Sequence, residues 1–166
     1  MLVVAGLGCG APTPSVAGPA ERFVARLHDP AFDLVAGLKG TYSLSSDEVF
    51  PVWKTSIDAL AKRPNVYVKL GGLGMRLCGH AFDKLADPPS SQMLADAWRP
   101  YIETCIAAFG PKRAMFESNF PVDKGSYSYW VFWNACKLLA KGASAAEKAD
   151  LFAATAARFY RLDAIV

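Results

Sequence analysis

Four side chains that can form hydrogen bonds follow a short apolar run in the C-terminal half of the chain. Glu117, Ser118 and Asn119 come directly after the run, and Asp123 stands four residues beyond Asn119. In parallel α/β folds, ligands bind at the C-terminal ends of the strands. If the apolar run is such a strand, two carboxylates, a hydroxyl and an amide could bind or orient a small polar substrate here. We call residues 117–123 the corner segment.

The same residues also have a purely structural interpretation. Pro121 cannot donate to a strand ladder, so the strand must end by Phe120 and a turn must follow. In such a turn Ser118 and Asn119 can bond the turn backbone, and Asp123 can cap the next helix. The sequence alone leaves the catalytic and the structural interpretations open.

Lys69 and His80 are two further candidates for substrate binding. Lys69 is the penultimate residue of a strand predicted at residues 66–70, and His80 lies in the long loop that follows. A lysine at a strand end is more often ion-paired or laid along apolar surface. A single loop histidine is more often structural than catalytic. His28 has no second metal ligand near it in the sequence, so spacing assigns no metal site.

Predicted helices and strands alternate around these residues. Apolar residues at helical spacing predict three helices, and alternation or short apolar runs predict two strands. The helices cover residues 47–62, 126–141 and 145–158, and the strands cover residues 66–70 and 114–120. A fourth helix precedes the second strand, and Pro100 should kink or divide it. Ser144 and Glu147 have the spacing of a capping box at the start of the last helix.

The composition points away from nucleic acids and membranes as partners. Of the 166 residues, 52% are hydrophobic and 20% are charged, which is ordinary for a globular domain. The formal net charge of +3 comes from interspersed lysines and arginines that form no basic run. A small-molecule substrate or a protein partner remains. The four cysteines lie far apart, which indicates reduced thiols in a cytoplasmic protein.

The apolar N-terminal residues could belong to a signal peptide, a lipoprotein signal or a nucleotide-binding loop. They lack a positive region and are shorter than the roughly 18 residues that span a membrane, so we expect neither secretion nor a membrane span. Residues 6–11 match a dinucleotide fingerprint after the strand-like residues 2–4. The fingerprint needs a helix to begin there, and Pro12 and Pro14 stand where that helix would grow. Dinucleotide binding is therefore a hypothesis that rests on residues 6–11 alone.

Four separated motifs carry a resemblance to a known family. They are residues 65–75 (Asn-Val-Tyr-Val-Lys-Leu-Gly-Gly-Leu-Gly-Met), 98–101 (Trp-Arg-Pro-Tyr), 109–123 (Phe-Gly-Pro-Lys-Arg-Ala-Met-Phe-Glu-Ser-Asn-Phe-Pro-Val-Asp) and 155–162 (Thr-Ala-Ala-Arg-Phe-Tyr-Arg-Leu). From about Asp47 to Leu162 the chain resembles the C-terminal part of the amidohydrolase-related family. The resemblance is to the branch that contains metal-dependent lactonases and related hydrolases and decarboxylases.

This resemblance implies a TIM barrel whose site lies at the C-terminal ends of the strands. Residues 66–70 would be the seventh strand and residues 114–120 the eighth. We therefore expect an α/β fold, a partial TIM-barrel-like (β/α) fragment with the last two barrel strands and their helices. Residues 47–166 would form this C-terminal part of the domain. Residues 1–46 would be an atypical N-terminal segment, either frameshifted or disordered.

The resemblance also implies the chemistry. In such a hydrolase a divalent metal, zinc or manganese, lowers the pKa of a bound water that then attacks a carbonyl carbon. The substrate would be a small carboxylic ester, lactone or amide. The family holds its metal with a His-x-His pair on the first strand and further histidines on the fifth and sixth. His28 and His80 are the two histidines of this sequence and form no such pair, so we expect this chain alone to bind no metal.

Asn119 stands where the superfamily usually has an aspartate that serves as the general base. An amide cannot accept a proton at neutral pH, so Asn119 could orient water or substrate but could not be the base. Asp123 and Glu117 remain as candidate carboxylates. We predict two catalytic residues, Asn119 and Asp123, and three substrate-binding residues, Lys69, Ser118 and His80.

The absent histidines leave a hypothesis of a different class, in which the gene is truncated or frameshifted. The chain would then be a non-catalytic β/α fragment that associates with itself or with a partner. Two or three strands cannot close a barrel, so the fragment would expose apolar surface and strand edges. This hypothesis predicts a homo-oligomer or an aggregate through the exposed barrel surface.

Overall fold

The computed structural model describes residues 4–5, 46–75 and 78–162. Its strands are β1 (Val4–Ala5), β2 (Tyr67–Leu70) and β3 (Ala114–Phe116). Its α-helices are α1 (Ser46–Ala61), α2 (Ser91–Phe109), α3 (Tyr129–Leu139), α4 (Ala145–Ala149) and α5 (Thr155–Tyr160). Short 3-10 helices cover Phe82–Lys84, Pro111–Arg113 and Val122–Gly125, and a π-helical segment covers Asp150–Ala154. The mixture of helices and parallel strands makes the fold α/β, as the sequence predicted.

The described residues fall into two compact units. One contains residues 46–66 with helix α1, and the other contains residues 4–5 and the described residues from Tyr67 onward. All the residues of the candidate site described below belong to the second unit.

Helix α1 agrees with its predicted bounds to within one residue, since it covers Ser46–Ala61 where residues 47–62 were predicted. Pro51 lies inside it. Lys54 and Asp58 form an exposed ion pair of 2.7 Å one helical turn apart, a kind of pair that contributes about 0.3–0.5 kcal/mol.

Strand β2 is the middle strand of a three-stranded sheet. It pairs antiparallel with β1 and parallel with β3. In the parallel pair, Lys69 stands opposite Met115 and Leu70 opposite Phe116. The strand predicted at residues 66–70 is therefore confirmed, and its C-terminal end lies beside the C-terminal end of β3.

Strand β3 is shorter than predicted. The sequence predicted a strand at residues 114–120, and the observed strand ends at Phe116. Asn119 has a φ of 52°, which belongs to the left-handed region and cannot continue a strand. The polar residues after Phe116 therefore form a turn, where the prediction had extended the strand to Phe120.

The core of the second unit forms where α2 packs against β2, β3 and α3. Its fully buried side chains are Val68, Leu70, Leu94, Trp98, Ile102, Met115, Phe132 and Leu151. Burying a large apolar side chain contributes roughly 1.5–3 kcal/mol. Leu94, Trp98 and Ile102 thus lie on the buried side of α2.

Helix α2 runs without interruption through Pro100, so of the two predicted outcomes, a kink or a division, the division does not occur. The helix covers Ser91–Phe109 and has Pro100 in its interior on an exposed position. The hydroxyl of Ser90 accepts a hydrogen bond from the Met93 N–H and caps the helix start. The packed face of α2 offsets the hydrogen bond that a proline cannot donate.

Helix α3 begins three residues later than predicted. It covers Tyr129–Leu139, whereas the sequence predicted residues 126–141. The reason is that Ser128 is the N-cap, with its hydroxyl accepting a hydrogen bond from the Val131 N–H. Ser126 is not helical and uses its hydroxyl to contact the loop after β2, as described below.

The last predicted helix, residues 145–158, is divided by the π-helical segment Asp150–Ala154. The capping box of Ser144 and Glu147 at its start is confirmed. The buried hydroxyl of Thr155 donates to the Pro111 carbonyl at 2.8 Å. This contact ties the C-terminal helices to the turn that precedes β3.

Three cysteines belong to the described residues, and none of the three forms a disulfide. Cys105 and Cys136 are buried, and Cys78 is partly buried. Burial raises the pKa of the Cys136 thiol above its ordinary value. The reduced state of the cysteines stays a prediction, and Cys9 lies outside the described residues. None of the described helices has both the length and the apolar character needed to cross a membrane.

Candidate functional site

The corner segment leaves the sheet at the C-terminal end of β3. Its first residue is still tied to the neighbouring strand, because the Glu117 N–H donates to the Leu70 carbonyl at 3.4 Å. Asn119 then turns the chain, and the 3-10 helix Val122–Gly125 follows with Asp123 in its first turn. The polar side chains therefore lie at the edge where parallel strands present their ligands.

Lys69 and Glu117 form an ion pair between the ends of the two parallel strands. Nζ of Lys69 lies 2.7 Å from Oε2 of Glu117, and the side chains are 23% and 17% exposed. The second carboxylate oxygen, Oε1, is buried and has no hydrogen-bond partner in the described part of the chain. An ammonium carries three N–H donors. Glu117 accepts from this ammonium in the described ranges of the chain.

Lys69 and Glu117 alternate along the chain with two apolar residues, Leu70 and Phe116. Side chains alternate along a strand, so Lys69 and Glu117 point away from the face of Leu70 and Phe116. Phe116 contacts Phe152 of the π-helical segment, with 4.9 Å between ring centroids. The π-helical segment therefore packs on the face of Phe116, and Met115, which stands opposite Lys69, is 2% exposed.

Asn119, Asp123 and Tyr127 form a hydrogen-bonded chain at the centre of the site. Nδ2 of Asn119 donates to Oδ1 of Asp123 at 2.9 Å, and the Tyr127 hydroxyl donates to Oδ2 at 2.5 Å. Asp123 is 1% exposed and Tyr127 is 4% exposed. Burial, and then the hydrogen bond and the charge of Asp123, raise the pKa of Tyr127. The phenol therefore stays protonated and remains a donor to the buried carboxylate.

The two serines near the corner segment hold the backbone. The Ser118 hydroxyl accepts a hydrogen bond from the Phe120 N–H at 3.4 Å. The buried Ser126 hydroxyl donates to the Gly74 carbonyl at 2.6 Å. Ser118 thus makes the turn contact that the structural interpretation expected. Ser126, three residues after the corner segment, thus links this part of the chain to the loop after β2.

Two glycines permit the close packing of the loop against the corner segment. A Cβ on Gly71 would lie 2.2 Å from the backbone oxygen of Glu117, and a Cβ on Gly74 would lie 2.4 Å from the Tyr127 ring. Real Cβ atoms essentially never make contacts this short. The loop after β2 can therefore come this close to Glu117 and Tyr127 only because glycine, which has no side chain, stands at both positions.

The structure differs from the structural interpretation at two residues, Asn119 and Asp123. The Asn119 side chain bonds a carboxylate side chain and not the turn backbone. Asp123 does not cap the next helix, because Ser128 has that role in α3. Both oxygens of Asp123 accept hydrogen bonds from neighbouring side chains. The catalytic roles of Asn119 and Asp123 stay predictions.

His80 lies apart from the corner segment and is joined to it through aromatic rings. Its imidazole stacks on Phe82, with 5.1 Å between ring centroids, and Phe82 in turn contacts Tyr127 at 6.5 Å. Burial lowers the pKa of His80 below its ordinary value of 6.5. The imidazole is therefore neutral at pH 7. Its predicted role in substrate binding stays a prediction.

This burial predicts a pH-dependent stability. The unfolded chain takes up a proton on His80 near pH 6.5, whereas the folded chain takes it up only at lower pH. As the pH falls through this window the unfolded state binds more protons, so the free energy of unfolding should decrease. Urea unfolding at about pH 7.5 and about pH 5.5 should show this loss in the wild type. His80→Phe, which keeps a ring against Phe82, should show a smaller loss, and equal losses would contradict the assignment.

Tyr127 is a site residue that the sequence interpretation missed. It was assigned to the start of a helix, but it lies before α3 with its hydroxyl on Asp123. A signal was present in the spacing, because Asn119, Asp123 and Tyr127 recur every four residues. That spacing places three polar side chains on one side of a helical turn.

The polar groups of the site do not form a metal centre. The described residues contain no group of three or more histidine, cysteine, aspartate or glutamate side chains that could hold a metal ion. Lys69 pairs with Glu117, and Asp123 is occupied by Asn119 and Tyr127. The donor set of the described part of the chain therefore does not fit a divalent metal. His28 and the fingerprint at residues 6–11 lie outside the described residues.

Comparison with protein families and curated proteins gives matches over most of the chain. The model of the family described as Amidohydrolase matches residues 37–162, which begins ahead of Asp47. The uncharacterized protein y4mH of Sinorhizobium fredii is 42% identical over 113 residues, which make up 68% of this chain and 34% of that protein. The L-fucono-1,5-lactonase of Burkholderia multivorans is 32% identical over 117 residues, or 70% of this chain and 37% of that protein.

A solved structure agrees with these matches. The crystal structure of an amidohydrolase from Burkholderia multivorans with bound zinc is similar with a TM-score of 0.61 and 28% identity. The similarity covers 70% of this chain and 39% of that chain. The chain thus spans less than two fifths of the length of each protein that it matches.

Proposed function

Because this chain belongs to the amidohydrolase family, we propose that it takes part in the hydrolysis of a small carboxylic ester, lactone or amide. The observation that carries the proposal is the position of Lys69 and the corner segment at the C-terminal ends of two parallel strands. Within this class we favour a lactone, because a relative that is 32% identical is a lactonase. Strands β2 and β3 would be the last two strands of a barrel.

The reaction needs water and an acyl compound. The oxygen of water bonds to the carbonyl carbon, and the bond from that carbon to the ring oxygen breaks. The leaving oxygen takes one of the protons of water. The new carboxylic acid releases its proton to the solvent at neutral pH. The protein has to place the two reactants and stabilise the negative charge that develops on the carbonyl oxygen.

The polar residues of the site divide these tasks. The Lys69 ammonium has N–H donors beyond its bond to Glu117 and would stabilise negative charge on the carbonyl oxygen or the product carboxylate. The partly buried amide of Asn119 would contact the attacking water. The Ser118 hydroxyl can donate to substrate while it accepts from the Phe120 N–H. His80 would bind substrate from the neighbouring loop as a neutral ring.

A divalent metal is not assigned to these residues. The solved relative contains zinc, but the described part of this chain offers no group of three ligands for one. We therefore propose that residues 69–123 orient the carbonyl and the water and do not supply metal ligands. We expect hydrolysis by the purified chain to be slow for this reason.

Asn119→Ala tests the proposed function, with Asn134→Ala as the matched control on the exposed side of α3. Hydrolysis of L-fucono-1,5-lactone is followed by proton release, with an acetate ester and an acetamide as comparison substrates. We expect turnover of the lactone above the protein-free rate, and a reduction of roughly 10²-fold in Asn119→Ala. Asn134→Ala should match the wild type. Equal rates with both variants, or no turnover by the wild type, would contradict the proposal.

The alternative function is a non-catalytic fragment that associates with itself or with a partner. An exposed apolar surface favours it, since Trp130 is 77% exposed and Val122 and Tyr129 are also exposed. Large exposed apolar groups of this kind often mark association sites. Concentration-dependent association in sedimentation velocity, together with no turnover of any substrate, would support this alternative.

A further inference from the structure

The Asn119 amide has two ends of opposite hydrogen-bonding character, and the structure determines which end faces the protein. The NH₂ group only donates and the carbonyl oxygen only accepts. The neighbour at 2.9 Å is Asp123, a buried carboxylate, which can only accept when ionised. The NH₂ group must therefore face Asp123, and a flipped amide would place two acceptors against each other.

Tyr127 holds the carboxylate in the orientation that Asn119 needs. Its hydroxyl donates to the second oxygen of Asp123, so each carboxylate oxygen has one donor. The Tyr127 ring is itself fixed by contacts with Trp98 and Phe132, at centroid distances of 5.4 and 6.2 Å. Burial first and Asp123 second raise the pKa of Tyr127, so its hydroxyl stays protonated and remains a donor at neutral pH.

The other end of the amide is left for a ligand. In the described part of the chain, Oδ1 of Asn119 accepts no hydrogen bond, and the side chain is only partly buried. The backbone fixes the residue as well, since Asn119 has a φ of 52° and its carbonyl accepts from the Asp123 N–H at 3.3 Å. The site therefore presents an acceptor whose orientation is set by buried neighbours.

We propose that Asp123 and Tyr127 are positioning residues that hold the Asn119 amide with its carbonyl oxygen toward the attacking water. The inference rests on the proposed function and assigns Asp123 a role through Asn119 and not in contact with substrate. The ligand is water for a chemical reason. The reacting carbonyl of a lactone offers acceptors only, so an acceptor on the protein can pair with the nucleophile and not with that carbonyl. When the Asn119 carbonyl oxygen accepts one O–H of a water molecule, the lone pairs of that water point away from Asn119. They can then be directed at the carbonyl carbon of the substrate.

Asp123→Asn removes the restraint with little change in the number of hydrogen bonds. The new amide can accept from Asn119 or donate to it, so Asn119 can take either orientation and still be paired. We expect a midpoint of thermal unfolding within about 5 °C of the wild type. We expect kcat for the lactone to fall roughly 10²-fold while KM is unchanged. A rise in KM alone would mean that Asn119 contacts a substrate hydroxyl, and would overturn the assignment to water.

The double variant Asn119→Asp with Asp123→Asn exchanges the two groups and should restore the restraint. The carboxylate introduced at position 119 would be an acceptor only, so the amide introduced at position 123 would have to donate to it and accept from Tyr127. An acceptor oxygen would again face the water. We expect kcat of the double variant to recover to within about 10-fold of the wild type. A folded double variant that is as inactive as Asp123→Asn would show that Asn119 acts as a donor, which overturns the proposal.

A measurement that does not depend on activity separates this inference from the proposed function. In nitrogen-15 NMR spectra of the full chain, the side-chain NH₂ of Asn119 should exchange with solvent at least about 10-fold more slowly than that of exposed Asn134. In Asp123→Asn the exchange should become faster. Slow exchange in a chain without turnover would leave the restraint established and reject the hydrolase. Equal exchange at Asn119 and Asn134 would reject the restraint whatever the activity.

Discussion

Replacing Asp123 with alanine is expected to lower the free energy of unfolding by about 3–5 kcal/mol. The substitution removes the acceptor of two hydrogen bonds, from Asn119 Nδ2 and from the Tyr127 hydroxyl. Tyr127 is 4% exposed, so its hydroxyl cannot turn to water and would stay buried without a partner. A buried hydroxyl left without a partner costs about 1–3 kcal/mol, and the loss of the two hydrogen bonds adds to this cost.

Urea unfolding followed by circular dichroism measures this loss. The control is Asp87→Ala, because Asp87 is exposed and its replacement should change stability by less than about 0.5 kcal/mol. Asp123→Asn should fall much closer to the wild type than Asp123→Ala, since an amide can pair with both neighbours. A loss below about 1 kcal/mol in Asp123→Ala would show that the carboxylate does not hold the corner segment together.

Gly71→Ala is expected to lower the free energy of unfolding by about 3 kcal/mol or more. The new Cβ would lie 2.2 Å from the backbone oxygen and 2.7 Å from Cγ of Glu117. A backbone oxygen cannot move aside as a flexible side chain can. The loop would have to separate from β3, which would break the Glu117 to Leu70 backbone bond and disturb the Lys69 ion pair.

Gly125→Ala is the matched control for this substitution. A Cβ on Gly125 meets nothing within 4 Å, so the same chemical change should be near neutral there. Both variants are compared with the wild type by the midpoint of urea unfolding. If Gly71→Ala is as stable as Gly125→Ala, the close approach between the loop and the corner segment does not exist in solution.

The regular elements could be predicted because their residues repeat at the period of the element. Apolar residues at helical spacing located α1 to within one residue, and alternation between residues 66 and 70 gave β2. The capping box at Ser144 was readable because two side chains three residues apart satisfy two N–H groups. In each case the pattern involves residues that are close in the sequence, so it can be recognised there.

Other features depend on contacts that are distant in the sequence. Pro100 does not divide α2, because burial of the opposite face of the helix outweighs one missing hydrogen bond. Ser126 lies before α3, and its hydroxyl donates to the carbonyl of Gly74. The two residues are 52 positions apart in the sequence, so no local pattern shows this contact. The glycines at 71 and 74 looked like ordinary loop residues. Their function as points of close approach appears only when the loop is placed against the corner segment.

The candidate site was predicted in part for the same reason. The sequence located the corner segment and named Asn119, Asp123 and Lys69, but it could not show which of them pair with one another. Glu117 was considered only as a candidate carboxylate, and it is the ion-pair partner of Lys69. Tyr127 was missed, although it is the residue that completes the hydrogen-bonded chain. The pairing matters for the proposed chemistry, because Asp123 binds the NH₂ end of Asn119 and Glu117 binds the ammonium of Lys69.

Hydrolysis of a lactone in heavy-oxygen water (H₂¹⁸O) tests whether the corner segment places water against a carbonyl carbon. We expect the full chain to form product with heavy oxygen in its carboxylate faster than the protein-free solution, and Asn119→Ala to lose roughly 10²-fold of this excess rate. The product would be measured by mass spectrometry at several times. Product formed at one common rate with the wild type, with Asn119→Ala and without protein would contradict the account.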